Sequence, residues 1–318
     1  TPTIIATGHA HLDVAWLWPL WRTRQKVAHT VANALHLMDR YPNYHFSMSQ
    51  PQVYAYLKED DPALYARMQA RIAEGRFEPV GMMWLEADCN VTGGESLVRQ
   101  LTQGARFFAE EFGRTSAIVW LPDVFGYSAA LPQLMRGAGI ACFMTTKISW
   151  NQFNRMPNDT FRWRGIDGSE VLTHFITASS QPPKHLSEAQ FYTYNGNMSG
   201  GETFGLWNNY RQKALSPEVL YSFGWGDGGG GPTEEMLEAA HVFKHLPGFP
   251  RIELGRADEF FARLYERVWN DPRLPTWAGE LYLEYHRGTY TSQARAKHNN
   301  RQAELLYREA EWLNAWAV

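Results

Sequence analysis

Apolar and polar positions alternate along the chain in two rhythms. Short apolar runs of strand length recur: "TIIATG" from Thr3, "YHFSMS" from Tyr44, "FEPVGMMW" from Phe77, "SAIVWLP" from Ser116, "IACFMTT" from Ile140, "EVLYSFGWG" from Glu218 and "RIELG" from Arg251. Between them, apolar residues return at helical spacing. Val27, Val31, Leu35 and Met38 predict one helix face, Leu64, Met68 and Ile72 a second ended by Gly75, and Leu97, Leu101, Phe108 and Phe112 a third. Leu131, Leu134, Met135 and Ala138 predict a short helix, and Thr233 caps "EEMLEAAHVFKHL". "DEFFARLYERVW" reads as the next helix, and "LYLEYHRG" as a closing strand. The one local exception is "FRWRGIDGSEVLTHFIT", a hairpin turning at Asp167 and Gly168. Strand–helix alternation of this kind predicts a mainly parallel α/β sheet, open or rolled into a barrel, with ligands at the carboxyl ends of the strands. Gln181 to Leu215, rich in Asn, Gly, Ser and Pro, reads as a long surface insertion. From Ala294 onward the pattern is one strong helix with no strand after it.

Composition narrows this picture modestly. The chain has 318 residues and a formal net charge of -3, with no basic block, so nucleic acid and anionic membrane surfaces are not expected partners. No apolar run approaches the roughly 20 residues of a membrane span. No signal peptide is visible, and a cytoplasmic location is expected. However, the chain starts almost directly on a strand at Thr1, which leaves room for removed upstream sequence. Two cysteines, Cys89 and Cys142, make no disulfide framework. The 13 Trp, 15 Tyr and 17 Phe include several tryptophans beside polar clusters, which leans towards carbohydrate.

The polar clusters sit where strands should end. In "GHAHLDVAW" His9, His11 and Asp13 occupy alternate positions and face one side of an extended segment. Imidazole nitrogen with carboxylate oxygen suits zinc or another divalent first-row ion, whereas a lone histidine would more simply satisfy nearby backbone. In "WLPDVFGYS" Asp123 ends an apolar run, a position equally served by a helix cap or turn. In "FGWGDGGGGPT" Asp227 precedes four glycines. No phosphate-binding fingerprint is present there, so the glycines permit close backbone approach or form a plain connector. "ELYLEYHRGTYTSQ" carries Glu284, His286, Arg287 and Tyr290, and "MMWLEADCN" carries Trp84, Glu86 and Asp88. Buried ion pairs and core tyrosines would explain both without catalysis.

In this order the motifs resemble glycoside hydrolase family 38, the class II α-mannosidases, and most of all its cytosolic/vacuolar and bacterial branch. The resemblance covers essentially the whole chain. It implies a seven-stranded, mainly parallel, barrel-like catalytic β/α domain over residues 1–293, followed at 294–318 by the first helix of a truncated helical middle domain. It implies a retaining hydrolase of terminal α-linked mannose, in mannosides or oligosaccharides, with one bound zinc or cobalt ion. His11 and Asp13 resemble two of the family's metal ligands, and Asp123 its nucleophile, which also ligates the ion. Asp227 resembles the acid/base, Trp16 the platform under the mannose ring, and Phe125 and His286 the pocket walls. His9 matches the motif without being a direct ligand. The family's fourth ligand, a downstream histidine, has no counterpart here, which implies a fragment whose own activity is open. A metal-dependent polysaccharide deacetylase or amidohydrolase on a similar barrel is the alternative. A folded module with an incomplete site is a third reading. Linkage and oligomeric state stay open, a homo-oligomer included.

Overall fold

The computed structural model describes residues 2–179 and 191–317. β1 (Thr3–His9) lies at the centre of the first sheet and is buried along almost its whole length, as a parallel strand covered on both faces must be. α1 (Leu20–Arg40) turns Val27, Val31, Ala34, Leu35 and Met38 inward at helical spacing and packs on two further helices. Each of the buried Val, Leu and Met side chains contributes about 1.5–3 kcal/mol of transfer free energy. β2 (Phe46–Met48) is followed by α2 (Pro51–Asp60) and α3 (Pro62–Ala73). Asp61 separates the two helices: its carboxylate accepts from the Leu64 amide, and Pro62 starts α3 at the position where a missing N–H costs nothing.

The chain continues through β3 (Phe77–Pro79), α4 (Gly94–Phe112), β4 (Ile118–Trp120), α5 (Leu131–Gly137) and β5 (Cys142–Thr145). β6 (Thr160–Arg164) and β7 (Glu170–Phe175) form the hairpin, and α6 (Gly200–Asn209), β8 (Glu218–Phe223), α7 (Glu234–Lys244), β9 (Arg251–Leu254) and α8 (Ala257–Val268) follow. β10 (Thr276–Ala278) and α9 (Ala294–Ala317) end the series.

The fold is mixed α/β with parallel-dominated sheets. One sheet runs β3-β2-β1-β8, with β9 also on β1; the other runs β10-β6-β7-β5-β4. Every ladder is parallel except the β6–β7 hairpin. One edge of β1 serves β8 along its length. The other is shared, by β9 beside Thr3 to Ala6 and by β2 beside Gly8 and His9. The two five-stranded sheets do not close into one hydrogen-bonded barrel among the described residues.

Two local expectations are corrected. "LYLEYHRG" is not a strand: Leu281 makes a single antiparallel bridge to Tyr127, and the segment then tightens into a 3-10 turn at Arg287–Tyr290. The expected insertion at Gln181 to Leu215 falls partly outside the described residues. The remainder, 191–215, is no surface excursion, because Tyr192, Tyr194, Met198, Leu206 and Tyr210 are buried. Among the described residues, no helix is long and apolar enough to cross a membrane.

Candidate active site

The parallel strands deliver their carboxyl ends to one face, and the polar motifs gather there. β1 runs directly into His9, Ala10, His11 and Asp13. β3 leads to Glu86, β4 to Asp123 and Phe125, β5 to Lys147, and β8 to Asp227. His11 is 3% exposed. Its Nε2 lies 3.3 Å from Asp13 Oδ1 and 3.8 Å from Asp123 Oδ2, and its Nδ1 lies 3.3 Å from Glu86 Oε2. One donor atom each from His11, Asp13 and Asp123 fall within 4.8 Å of one another. These three line a cavity of about 400 Å³ together with Glu86, Phe125 and Tyr290.

Two observations bear on whether this group suits a metal ion. Both ring nitrogens of His11 are buried without a hydrogen-bond partner, a costly state for a polar group unless something else engages it. The donors are also one imidazole and two carboxylates, the mixture preferred by zinc and similar divalent ions. Burial alone would lower the His11 pKa. The charge of Glu86, the contacts to Asp13 and Glu86, and the charge of Asp123 outweigh it and raise it well above the ordinary value. A cation held among these carboxylates would take the place of that proton.

His9 does different work. Its Nδ1 pairs with Ser47 O at 2.8 Å, and its Nε2 accepts from Trp120 Nε1 at 3.4 Å. Burial pushes its pKa down to about 4, so it is a neutral ring supporting the strand end. Both of its ring nitrogens are engaged by these partners, and it is not one of the three residues whose donor atoms cluster.

Asp227 arrives through backbone bonds. The Asp13 amide donates to Asp227 O at 2.8 Å, and Leu12 bridges to Gly228. Asp227 itself holds a left-handed φ of 61°, inside a tight turn closed by Gly228 N–H to Gly226 O. Gly226 is required by space: a Cβ there would fall 2.0 Å from Asn195 Oδ1. The Asp227 carboxylate accepts from Tyr194 Oη at 2.9 Å and from Asn195 Nδ2 at 3.3 Å. Burial, then the charges of Asp123 and Asp227 and hydrogen bonding to both, raise the Tyr194 pKa far above the phenol range. The tyrosine is therefore a permanent donor set between the two carboxylates.

Lys147, also buried, forms an ion pair with Asp123 Oδ1. Its ammonium also lies 4.1 Å from the Trp150 ring and 5.3 Å from the Phe125 ring. His286 packs on Phe125 with ring centroids 4.8 Å apart, and burial and the Lys147 charge lower its pKa, opposed by Asp123. Tyr290 Oη donates to Phe125 O, so the segment after Leu281 braces the Asp123 loop. Glu284 is absorbed structurally, accepting from the amides of Gln152, Phe153 and Asn154. Trp16 is 58% exposed, packs edge-on against Trp18, and does not line the cavity.

The structure thus brings together His11, Asp13, Asp123 and Phe125, joins Asp227 and His286 to them through Tyr194 and Phe125, and leaves Trp16 exposed outside the cavity lining. Sequence reasoning missed Lys147, Tyr194 and Asn195. Lys147 had a usable signal, a lone cation directly after the β5 apolar run. Tyr194 and Asn195 sit in an Asn- and Gly-rich stretch that gives none.

Known proteins show the same relationship along the whole chain. Residues 1–280 match the model of the glycosyl hydrolases family 38 N-terminal domain, and residues 284–318 match the alpha mannosidase middle domain. Human alpha-mannosidase 2C1 is 43% identical over 99% of this chain and 29% of its own length. The alpha-mannosidase of Saccharomyces cerevisiae is 40% identical over 98% of this chain and 28% of its own length. The chain therefore spans less than a third of the relatives it matches. Among solved structures, an alpha-mannosidase from Enterococcus faecalis V583 superposes with a TM-score of 0.69 at 17% identity, covering 88% of this chain and 31% of that one, a likeness of fold. These relatives do not favour the deacetylase or amidohydrolase alternative.

Proposed function

The chain belongs to the glycosyl hydrolases of family 38, and we propose that it carries the carboxylate centre of a retaining, metal-dependent α-mannosidase acting on terminal α-linked mannose. The observation that carries this reading is the meeting of His11, Asp13 and Asp123 in one cavity, with Asp227 a single tyrosine away. Tyr194 donates to Asp227 and also interacts with Asp123, which supports a close pair of acids. A retaining pair needs its two carboxyl groups close together, about 5–5.5 Å apart.

Asp123 attacks the anomeric carbon and Asp227 first protonates the leaving oxygen, then takes a proton from the incoming water. Lys147 and the Asp123 carboxylate form an ion pair, which sets a positive charge beside the attacking group. Tyr194 and Asn195 fix the Asp227 carboxylate. His11, Asp13 and Asp123 would hold one zinc or cobalt ion, which when bound supplies charge stabilisation and a template for neighbouring sugar hydroxyls. Phe125 and His286 form the apolar wall, and Trp16 offers an exposed aromatic face. The finer architecture belongs to the same proposal: a seven-stranded barrel-like domain over 1–293, a middle domain beginning at 294, and cytoplasmic residence.

Turnover of an aryl α-mannoside, measured with zinc, with cobalt and with chelator, tests the reaction. NMR of the first-formed sugar tests its stereochemistry. Initial release of the α-anomer supports the retaining pair; initial β-anomer, or turnover indifferent to chelator, overturns the corresponding part.

A further inference from the structure

The face of His11 turned away from Asp13 and Asp123 is lined by one acid. Glu86 Oε2 lies 3.3 Å from His11 Nδ1, and among buried side-chain atoms both stand without any other hydrogen-bond partner. Glu86 is held in that position by two polar neighbours. Its Oε1 accepts from Ser49 Oγ at 2.9 Å, and its amide donates to Gln50 Oε1 at 3.2 Å. Gln50 holds a left-handed φ of 66°, and its Nε2 donates to Leu12 O at 2.8 Å. One side chain therefore ties the His11 strand end to the Glu86 loop, and a strained backbone is kept in place to do it.

We propose that Glu86 is the positioning residue of the metal centre, accepting the Nδ1 proton of His11 and so fixing the tautomer that presents the Nε2 lone pair to Asp13 and Asp123. The inference rests on the metal-centre reading above. The chemistry is one of assignment. A neutral imidazole carries one proton, and a carboxylate oxygen facing Nδ1 can only accept it. Nε2 is then left unprotonated towards the two carboxylates, which is the form a cation needs. The electron-rich Glu86 also makes the ring a better donor, and loss of such an outer carboxylate typically weakens metal binding 10–100-fold. The alternative tautomer would place a proton between His11 and Asp13 and leave Glu86 Oε2 buried and facing a lone pair.

Two readouts test this on the full chain. Zinc affinity is measured by competition with a chromophoric chelator for wild type, Glu86→Ala and Glu86→Gln. Histidine ring nitrogens are observed by NMR in zinc-loaded, ¹⁵N-histidine-labelled protein, where the bound cation keeps the His11 ring neutral. The expected result is a zinc Kd weakened 10–100-fold in Glu86→Ala and less in the isosteric Glu86→Gln, with His11 protonated at Nδ1 in wild type and losing that preference in Glu86→Ala. Should Glu86→Ala fold poorly, Glu86→Gln, which keeps the shape and the Ser49 contact, carries the test. A wild type that binds no zinc overturns the metal reading and the inference with it. A wild type that binds zinc while both variants match it within twofold, or whose His11 proton sits on Nε2, overturns the role of Glu86 alone.

Discussion

Two buried acidic clusters hang from β1, and they are finished in opposite ways. In the first, Thr7 pairs with Ser47, Ser47 donates to Glu78, and Glu78 accepts the Ala257 and Asp258 amides at the start of α8. Asp258 in turn accepts from Ser116. No buried side-chain atom of this group lacks a partner. In the second, two histidine nitrogens and a glutamate oxygen remain open although they are as deeply buried. A closed network spends its acids on holding the fold, here the N-terminus of α8, whose partial positive charge suits Glu78. An open one leaves a desolvation cost unmet until something outside the chain engages it. Burial and acidity do not tell these two clusters apart; completeness of hydrogen bonding does.

The contrast breaks if an acid from either cluster behaves like the other. Asp123→Asn should lower kcat for an aryl α-mannoside by more than ~10³-fold, in whichever form of the protein turns over, without lowering Tm. A variant that kept full turnover, or simply unfolded, would return Asp123 to the structural class. Glu78→Ala should do the reverse. It strips the acceptor from one hydroxyl and two helix-terminal amides, a loss of about 3 kcal/mol read by urea denaturation, with zinc affinity unchanged.

Acidity gives a third test. Burial and the charge of Glu78, opposed by Ser116, Arg114 and Arg256, push Asp258 up to about 7, and burial also raises Glu78. The folded state therefore holds protons that the unfolded state has released. This contribution to stability is fully present below about pH 4 and is lost as pH rises through about 7. The slope is at most about 1.4 kcal/mol per pH unit for one proton. Asp258→Asn should flatten that slope in denaturation curves taken between these limits; an unchanged slope would assign it elsewhere. The smallest effect concerns the open cluster as a receptor. Zinc at tenfold excess over its Kd should stabilise the wild-type chain by about 1.4 kcal/mol and leave His11→Ala unmoved, read as a shift in urea midpoint.

Much of this was legible in the sequence, because strand and helix signals depend on neighbours a few residues apart. The β1, β4 and β8 runs, the Asp167–Gly168 turn, the Thr233 cap and the start of α9 at Ala294 all fall where the pattern put them. α2 went unseen because its buried Val53, Tyr54 and Leu57 make a short stripe that runs into α3, with the boundary set by Asp61 and Pro62. The segment from Leu281 resembled a strand by alternation, but pairs only once, with Tyr127. His11, Asp13 and Asp123 could be suspected from chemistry at strand ends. Lys147 could have been suspected in the same way, as a lone cation after the β5 run, but Tyr194 and the part of Glu86 could not, since their meaning lies in what reaches them across the fold.

The bond from the Asp13 amide to the Asp227 carbonyl has a consequence for how such a protein can change. The spacing of Asp13 and Asp227 is registered through main chain, so neighbouring side chains can drift without disturbing it. A single inserted or deleted residue on either loop would slide one partner past the other. Diversity at this mouth should therefore accumulate by exchange of residues, while the lengths of the two loops stay locked together.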